Sequence, residues 1–543
     1  MSSTPSLEIF NDAQVHPPPF PSLLEPLLQH IIKKWSWTDE LDTISSCSSS
    51  SSSTSSSPSK KSNGVSPLLP LPPPPPSQPL QSPPNLPFNM CCLEYIPSFV
   101  PSQHIPQPDH QSSLYLPKTL PAQFYQFIFY HASYRAVRNM IITNHYGIFY
   151  VHYIILHPKH DDVDQINSMT AWIANALQVL LSLPCFSGQG GRRSSEDRDM
   201  SMSSENNTIE PCRSNRRDRS YSEGGVGVGS KGSRRKTKTQ KSRIMHIYFY
   251  MVDEPKYIPK IFSEPIGPQH INTAFTTSGG DEIILFRLEE WFKVFVHECF
   301  HAFSLDFSGV FQEPECVQCM NLNSSILPKP LLLFESFTET WARILYVLMI
   351  HVNVKYKNNN GGGTTIPIHS INRSNIMHSI YNLSKLNRIQ AHHFLHRQSK
   401  SISSFVTAKN SNGINDHSTI RYQEKTNTFA YYIVPSMLLV SLPSFLLWCD
   451  QHGVYVGRGL SPNQCPWPSQ DPQLKFCEYV GHCFRDVEIQ RSMMYVAIGS
   501  PHFQINHPSF LYMTGGIELF QRNTLPPFSV SVTKKLMRSK KPK

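Results

Sequence analysis

The segment from Trp291 to Phe303 constrains this chain more than any other, because it is apolar almost throughout and yet carries His297, Glu298 and His301 in HExxH spacing. On an α-helix, residues four apart lie one above the other, so both imidazoles face the same way and can grip one cation. Glu298 lies about 100° around such a helix, beside the cation, where it can take a proton from a water that the cation acidifies. The remaining residues, Trp291, Phe292, Phe295, Cys299, Ala302 and Phe303, recur at helical spacing and require burial. A fold built on this helix must therefore supply partners for three buried ionisable groups. A chance HExxH would arise in roughly one chain in twenty-five of this composition, so the surroundings of the motif decide its meaning.

Those surroundings are informative. Ser278, Gly279 and Gly280 read as a turn, Asp281 to Arg287 as a short strand, and helical periodicity begins at Leu288. Further on, Pro328 and Pro330 precede a stretch in which Phe334, Phe337, Trp341, Ala342 and Leu345 recur at helical spacing. Glu335 and Glu339 share one face of this second, mostly buried helix. Two carboxylates there are costly to bury unless a cation or hydrogen-bond donors meet them, and a Zn²⁺ held by His297 and His301 would satisfy both. The alternative is that both acids face solvent.

On these residues the chain resembles the gluzincin metallopeptidases, which pair HExxH with a glutamate ligand on a later helix. In several of those families an acidic residue four positions after the ligand orients the first histidine. Glu335 followed by Glu339 matches that pattern. The resemblance implies a Zn²⁺ held by His297, His301 and Glu335, with Glu339 accepting an imidazole N–H. Other gluzincins use a glutamate followed by xxA, which Glu339 to Ala342 also fits, so the two roles can be exchanged. A metzincin would need Gly and a third His or Asp where Ser304 and Phe307 stand, which excludes that subclass. The exopeptidase loop GAMEN is absent, although Asn272 to Thr276 sits where an edge strand can pair with an extended peptide. The arrangement is also similar to that of uncharacterised zincin-like HExxH proteins of large DNA viruses. The implied activity is peptide-bond hydrolysis with Glu298 as general base. Because zinc peptidases often aim a Tyr or His at the developing oxyanion, Tyr431 is the candidate for that task, with simple packing as its alternative.

Composition limits how much of the chain can build this domain. Residues 45 to 90 hold a serine run and the proline run Pro72 to Pro76, and 1–115 is expected to be disordered. A single domain is expected over 116–530, with polar insertions at about 186–243 and 355–420, and a basic disordered tail over 531–543. The retained length, on the order of 300 residues, suffices for one sizeable core. Gly147 to Leu156 reads as a strand, Ile166 to Leu183 as a helix and Met245 to Val252 as another strand. The expectation is an α+β fold, zincin-like, with a small sheet over the HExxH helix and a helical C-terminal part.

The net charge of +10 resides in the polar segments: 186–243 carries 14 Lys and Arg against 7 Asp and Glu, and 534–543 adds 6 basic residues without an acid. Such runs can contact nucleic acid weakly or serve nuclear import, and they do not make the catalytic domain a nucleic-acid binder. The twelve cysteines show no repeated spacing, and the amino terminus lacks a basic start followed by an apolar core. Free thiols in an intracellular, cytoplasmic, nuclear or virion-associated chain are expected. Cys316 and Cys319 form a single CxxC that could be half a structural zinc site, completed by Cys465, Cys477 or Cys483. Cys299 reads as core. Phe429 to Trp448 is a 20-residue stretch without a charge, but Pro435 and Pro443 interrupt it, which favours a bent core helix over a membrane span. His392, His393 and His396 are expected on an exposed helix face. Gly224 to Gly229 lacks a flanking strand and helix, and no GxSxG occurs. The rival readings are a noncatalytic zinc-bound scaffold and a membrane-associated interaction protein.

Overall fold

The computed structural model describes residues 19–35, 89–96, 120–144, 146–183, 243–256, 264–276, 278–308, 313–358, 366–406, 421–454 and 471–499, with the single positions 259 and 311. Its sheet comprises β1 (Asn89–Ile96), β2 (Ala136–Asn144), β3 (Gly147–Ile155), β4 (Arg243–Met251), β5 (Ala274–Thr276) and β6 (Glu282–Leu285), in the order β1-β2-β3-β4-β6-β5. The pairs β3/β4 and β4/β6 are parallel and the others antiparallel. The α-helices are α1 (Leu24–Lys34), α2 (Ala122–Gln126), α3 (Val163–Leu181), α4 (Pro268–Ile271), α5 (Trp291–Ala302), α6 (Glu313–Met320), α7 (Leu333–Asn358), α8 (Arg373–Arg397), α9 (Val434–Val440), α10 (Leu442–Gln451), α11 (Asp471–Arg485) and α12 (Val487–Gly499). The architecture is α+β, mostly helical, with one mixed sheet.

The sheet follows from period-two patterning. In β3, Phe149, Val151, Tyr153 and Ile155 are fully buried against the helices, while Ile148, Tyr150 and His152 on the other face are half-buried. A parallel partner requires a crossover, and α3 supplies it between β3 and β4. Asp162 starts that helix by accepting from the backbone N–H groups of Asp164 (3.0 Å) and Gln165 (3.2 Å). Trp172 of α3 then packs edge-on against Phe292 of α5, with ring centroids 4.7 Å apart. Gly147 begins β3 where only glycine fits, since a Cβ there would lie 2.2 Å from the Arg243 carbonyl oxygen.

All twelve residues of α5 are buried. Its first turn meets the sheet through Trp291, whose ring centroid lies 5.4 Å from that of Phe249 on β4. The long helix α7 packs along its other side. The strands and helices expected at 147–156, 166–183, 245–252 and 281–287 correspond to β3, α3, β4 and β6.

Several expectations need correction. Within the stretch expected to be disordered over 1–115, α1 is a docked helix: Leu24, Leu27, Leu28 and Ile31 are fully buried, Trp35 stacks edge-on at 5.2 Å from Trp172, and Glu25 binds the Arg373 guanidinium through both oxygens (2.7 and 2.5 Å). The apolar stripe that docks is short and lies in a stretch whose overall composition is Ser- and Pro-rich. Likewise, the insertion expected over 355–420 contains α8, whose Ile376, Met377, Ile380, Ala391, Phe394 and Leu395 are buried and whose Asn372 caps it. Ser384, Asn387 and Arg388 are buried with them, so the polar residues of that segment are partly taken into the packed interior. His393 is half-buried rather than exposed, and burial pushes it down to about 4. Cys316 on α6 and Cys477 on α11 are joined in a disulfide, which replaces the expected free thiols and half zinc site there; the helices pack against each other and bring together residues 161 apart in sequence. The segments 184–242 and 500–543, including both basic runs, lie outside the described residues.

In the apolar stretch Phe429 to Gln451, a π-helical turn (Phe429–Ile433) leads into α9, and α10 turns away by 94°. Pro435 and Pro443 each stand in the first turn of their helix, where a missing N–H costs nothing and the chain can change direction. Among the described residues no single helix is long and apolar enough to cross a membrane.

Candidate metal centre

Helices α5 and α7 bring three donor atoms to one point. His297 Nε2 and His301 Nε2 lie 3.1 Å apart, and Glu335 Oε2 lies 3.1 Å from the first and 3.2 Å from the second. The group His297, His301 and Glu335 could hold a metal ion. The three are nearly enclosed, with side-chain exposures of 5%, 8% and 12%.

The outer nitrogens show why these lone pairs converge. His297 Nδ1–H donates to Glu339 Oε2 at 3.0 Å, and His301 Nδ1–H donates to Asp306 Oδ2. A carboxylate can only accept, so each imidazole carries a proton on Nδ1 and, in its neutral form, presents a bare Nε2 inward. Two such lone pairs and a carboxylate oxygen around one point repel one another unless positive charge sits there. Protons on the imidazoles can supply that charge as well as a cation can. Burial opposes charge on Glu335, but the adjacent His301 and His297 outweigh it and bring the carboxyl to about 2. Burial alone would depress His301, yet Glu335 and Asp306 raise it well above its usual range.

Each carboxylate is itself anchored. Glu339 Oε1 accepts from Lys293 Nζ at 2.6 Å and Arg343 Nε at 2.8 Å. Burial opposes its charge, and Lys293 and Arg343 overcome it, holding the carboxyl well below the normal range. Asp306 accepts from Thr338 Oγ1 (3.1 Å), Ser308 N (3.1 Å) and Ser308 Oγ (2.7 Å). It reaches His301 because α5 ends in a left-handed cap: Ser304 has φ 53°, its N–H donates to His301 O at 3.1 Å, and Leu305 N–H donates to Phe300 O at 2.8 Å. That turn folds the chain back so that the side chain five residues on meets the histidine.

Glu298 points to a cleft lined by Asn272, Thr273, Ala274, His297, Tyr431 and neighbouring residues. Burial raises its carboxyl to about 7, against the pull of His297 and His301. Tyr431 sits in the π-helical turn with its ring 5.8 Å from that of His297, and burial, then Glu335 and Glu298, raise its phenol well above the usual range. It is therefore a neutral donor at the cleft. Cys299 is fully buried and its thiol is pushed up by that burial, in keeping with a core role.

The structure thus gathers His297, Glu298, His301, Glu335, Glu339 and Tyr431 at one site, with Glu335 facing the two Nε2 atoms and Glu339 behind His297. Sequence reasoning missed Asp306, Lys293, Arg343 and Thr338. Lys293 lies one turn before His297 and Arg343 one turn after Glu339, and charged residues on two buried helices were a signal that these groups pair. Asp306 had no such signal, because its approach depends on the cap at Ser304. No family model, no curated protein and no solved structure matches the chain.

Proposed function

We propose that this chain is a zinc-dependent hydrolase, a metallopeptidase of gluzincin type that cleaves peptide bonds. The observation that carries the reading is the convergence of two imidazole nitrogens and a carboxylate oxygen, 3.1 to 3.2 Å apart, with a carboxylate behind each imidazole. Three ligands at ~2.0–2.1 Å around a tetrahedral zinc stand ~3.3 Å apart, so the donor set fits that ion in type and spacing. His297, His301 and Glu335 would hold it, leaving a position open, and a zinc ion there supplies an acidified water and a polarised carbonyl. The same donors suit iron(II), but a carboxyl placed beside them at the cleft, and not among the converging donors, is positioned for proton transfer in a hydrolysis.

The chain's own residues divide the remaining work. Glu298 accepts a proton from the attacking water and returns it to the leaving amine, a role for which a pKa near the working pH is best suited. Tyr431, kept protonated, can donate its O–H to the developing oxyanion. Strand β5 stands at one edge of the sheet among the described residues, and Thr273 and Ala274 line the cleft, so that edge can align an extended peptide. The β6–α5–α7 arrangement around the site supports a zincin-like layout.

Incubation of the purified full chain with a peptide library, followed by mass spectrometry, tests this reading. Cleavage should appear with zinc, vanish with a chelator and be absent in Glu298→Gln. A zinc-loaded wild type that cleaves nothing, or a Glu298→Gln variant that cleaves equally well, would overturn it in favour of a noncatalytic scaffold.

A further inference from the structure

Arg343 makes three contacts in three directions from one guanidinium. Nε donates to Glu339 Oε1 at 2.8 Å, Nη2 donates to the Tyr431 carbonyl at 3.1 Å, and Nη1 donates to Asn387 Oδ1 on α8. The guanidinium carbon stands 5.5 Å from the centroid of the Tyr432 ring, and the residue is 2% exposed. Glu339 in turn divides its oxygens: Oε1 takes both cations, Lys293 and Arg343, and Oε2 remains for His297 Nδ1–H.

We propose that Arg343 is a positioning residue of the metal centre, holding Glu339 against His297 and, from the same head group, holding the turn that carries Tyr431 at the cleft. This rests on the reading of His297, His301 and Glu335 as a metal site. Lys293 is a flexible ammonium on Oε1, so without Arg343 that oxygen keeps one mobile donor and Glu339 is held less firmly against His297. Arg343 adds a second N–H to the same oxygen from a guanidinium fork that Asn387 and the Tyr431 carbonyl hold in place, so Oε1 is pinned from two sides and Oε2 is the oxygen left to face His297 Nδ1. The second arm joins α7 to the π-helical turn, so that the metal ligand and the phenol are set by one group. Lysine at 343 could meet Glu339 or the Tyr431 carbonyl, but its single ammonium cannot reproduce the fork.

The test uses the full chain and the metal ions alone as probes. Zinc affinity is measured by chelator competition, the visible spectrum is recorded with Co²⁺ in place of zinc, and urea unfolding is followed without metal. Arg343→Gln should weaken zinc binding about 10- to 100-fold, as for other partners behind a metal ligand, and alter the cobalt bands. Arg343→Lys should recover part of that loss. In a Glu339→Gln background, Arg343→Gln should add little, since its effect travels through Glu339. Wild-type zinc affinity and cobalt spectrum in Arg343→Gln would overturn the proposal, as would an equal loss in the Glu339→Gln background. If Arg343→Gln fails to fold, Arg343→Lys decides: affinity below wild type supports the proposal and wild-type affinity overturns it. A wild-type chain that binds neither ion would overturn the metal-site reading itself, and the proposal with it.

Discussion

Replacing Asp306 by Asn separates metal binding from folding, because its partners differ from those of Glu339. Asp306 Oδ1 accepts the Ser308 backbone N–H at 3.1 Å and Ser308 Oγ–H at 2.7 Å, while Oδ2 faces His301 Nδ1 and Thr338 Oγ1. A backbone N–H can only donate, so an asparagine must keep its oxygen there and turn its NH₂ toward His301. The imidazole then accepts at Nδ1 and carries its proton on Nε2, the atom that faces His297 and Glu335. The ligand is blocked by its own proton. Loss of a carboxylate behind a ligating histidine weakens metal binding about 10- to 100-fold, which is ~1.4–2.7 kcal/mol. The fold should lose about 1–3 kcal/mol, because Asn fills the same volume and keeps the Ser308 contacts, while His301 gives up a carboxylate that favours its charged form. Glu339→Gln is the contrasting case, since it leaves Lys293 and Arg343 buried with a neutral partner and should cost about 3–5 kcal/mol of stability in addition to affinity. Chelator competition for zinc and urea unfolding of the metal-free chain give the two quantities. An Asp306→Asn variant with wild-type zinc affinity would refute the argument from the tautomer.

Three further outcomes follow from the same geometry. Glu298→Gln should retain zinc, since Glu298 is not among the converging donors, while peptide hydrolysis falls about 10²- to 10⁴-fold; loss of zinc in that variant would contradict the assigned role. Ser304→Gly should raise stability by about 1 kcal/mol in urea unfolding, because a non-glycine residue at φ 53° carries a steric cost that glycine avoids; destabilisation would show that the Ser304 side chain matters more than its backbone. Burial raises the Glu289 carboxyl to about 7, so the folded chain binds a proton there that the unfolded chain releases near its ordinary value. The contribution of Glu289 to stability is therefore fully present below about pH 4.5 and is lost as pH rises through about 7. Glu289→Gln should flatten that part of the pH profile of unfolding, and an unchanged slope would refute the assignment.

What could be read from the residues depended on how local the signal was. The strand–helix–strand order, the buried HExxH helix and the pair Glu335 and Glu339 rest on periodicity within single segments, and the structure brings all of these groups together. The choice of Glu335 to face the two Nε2 atoms rested on a resemblance, and the distances of 3.1 and 3.2 Å make the same choice. Asp306 was hidden because a left-handed cap, not a helical repeat, aims it. The docking of α1 and α8 was hidden because each places a narrow apolar stripe in a polar neighbourhood, and burial of Leu28 or Ile380 depends on surfaces distant in sequence. The Cys316–Cys477 pairing likewise depends on α6 meeting α11 across 161 residues.

The most direct test of the central claim is the zinc content of the purified full chain by elemental analysis, after exhaustive dialysis, beside His297→Ala and Glu335→Ala. The account predicts about one zinc per wild-type chain and its loss in both variants, with metal-free unfolding curves showing that each variant still folds. A wild-type chain without zinc, or variants that fold and keep the same zinc content, would contradict it.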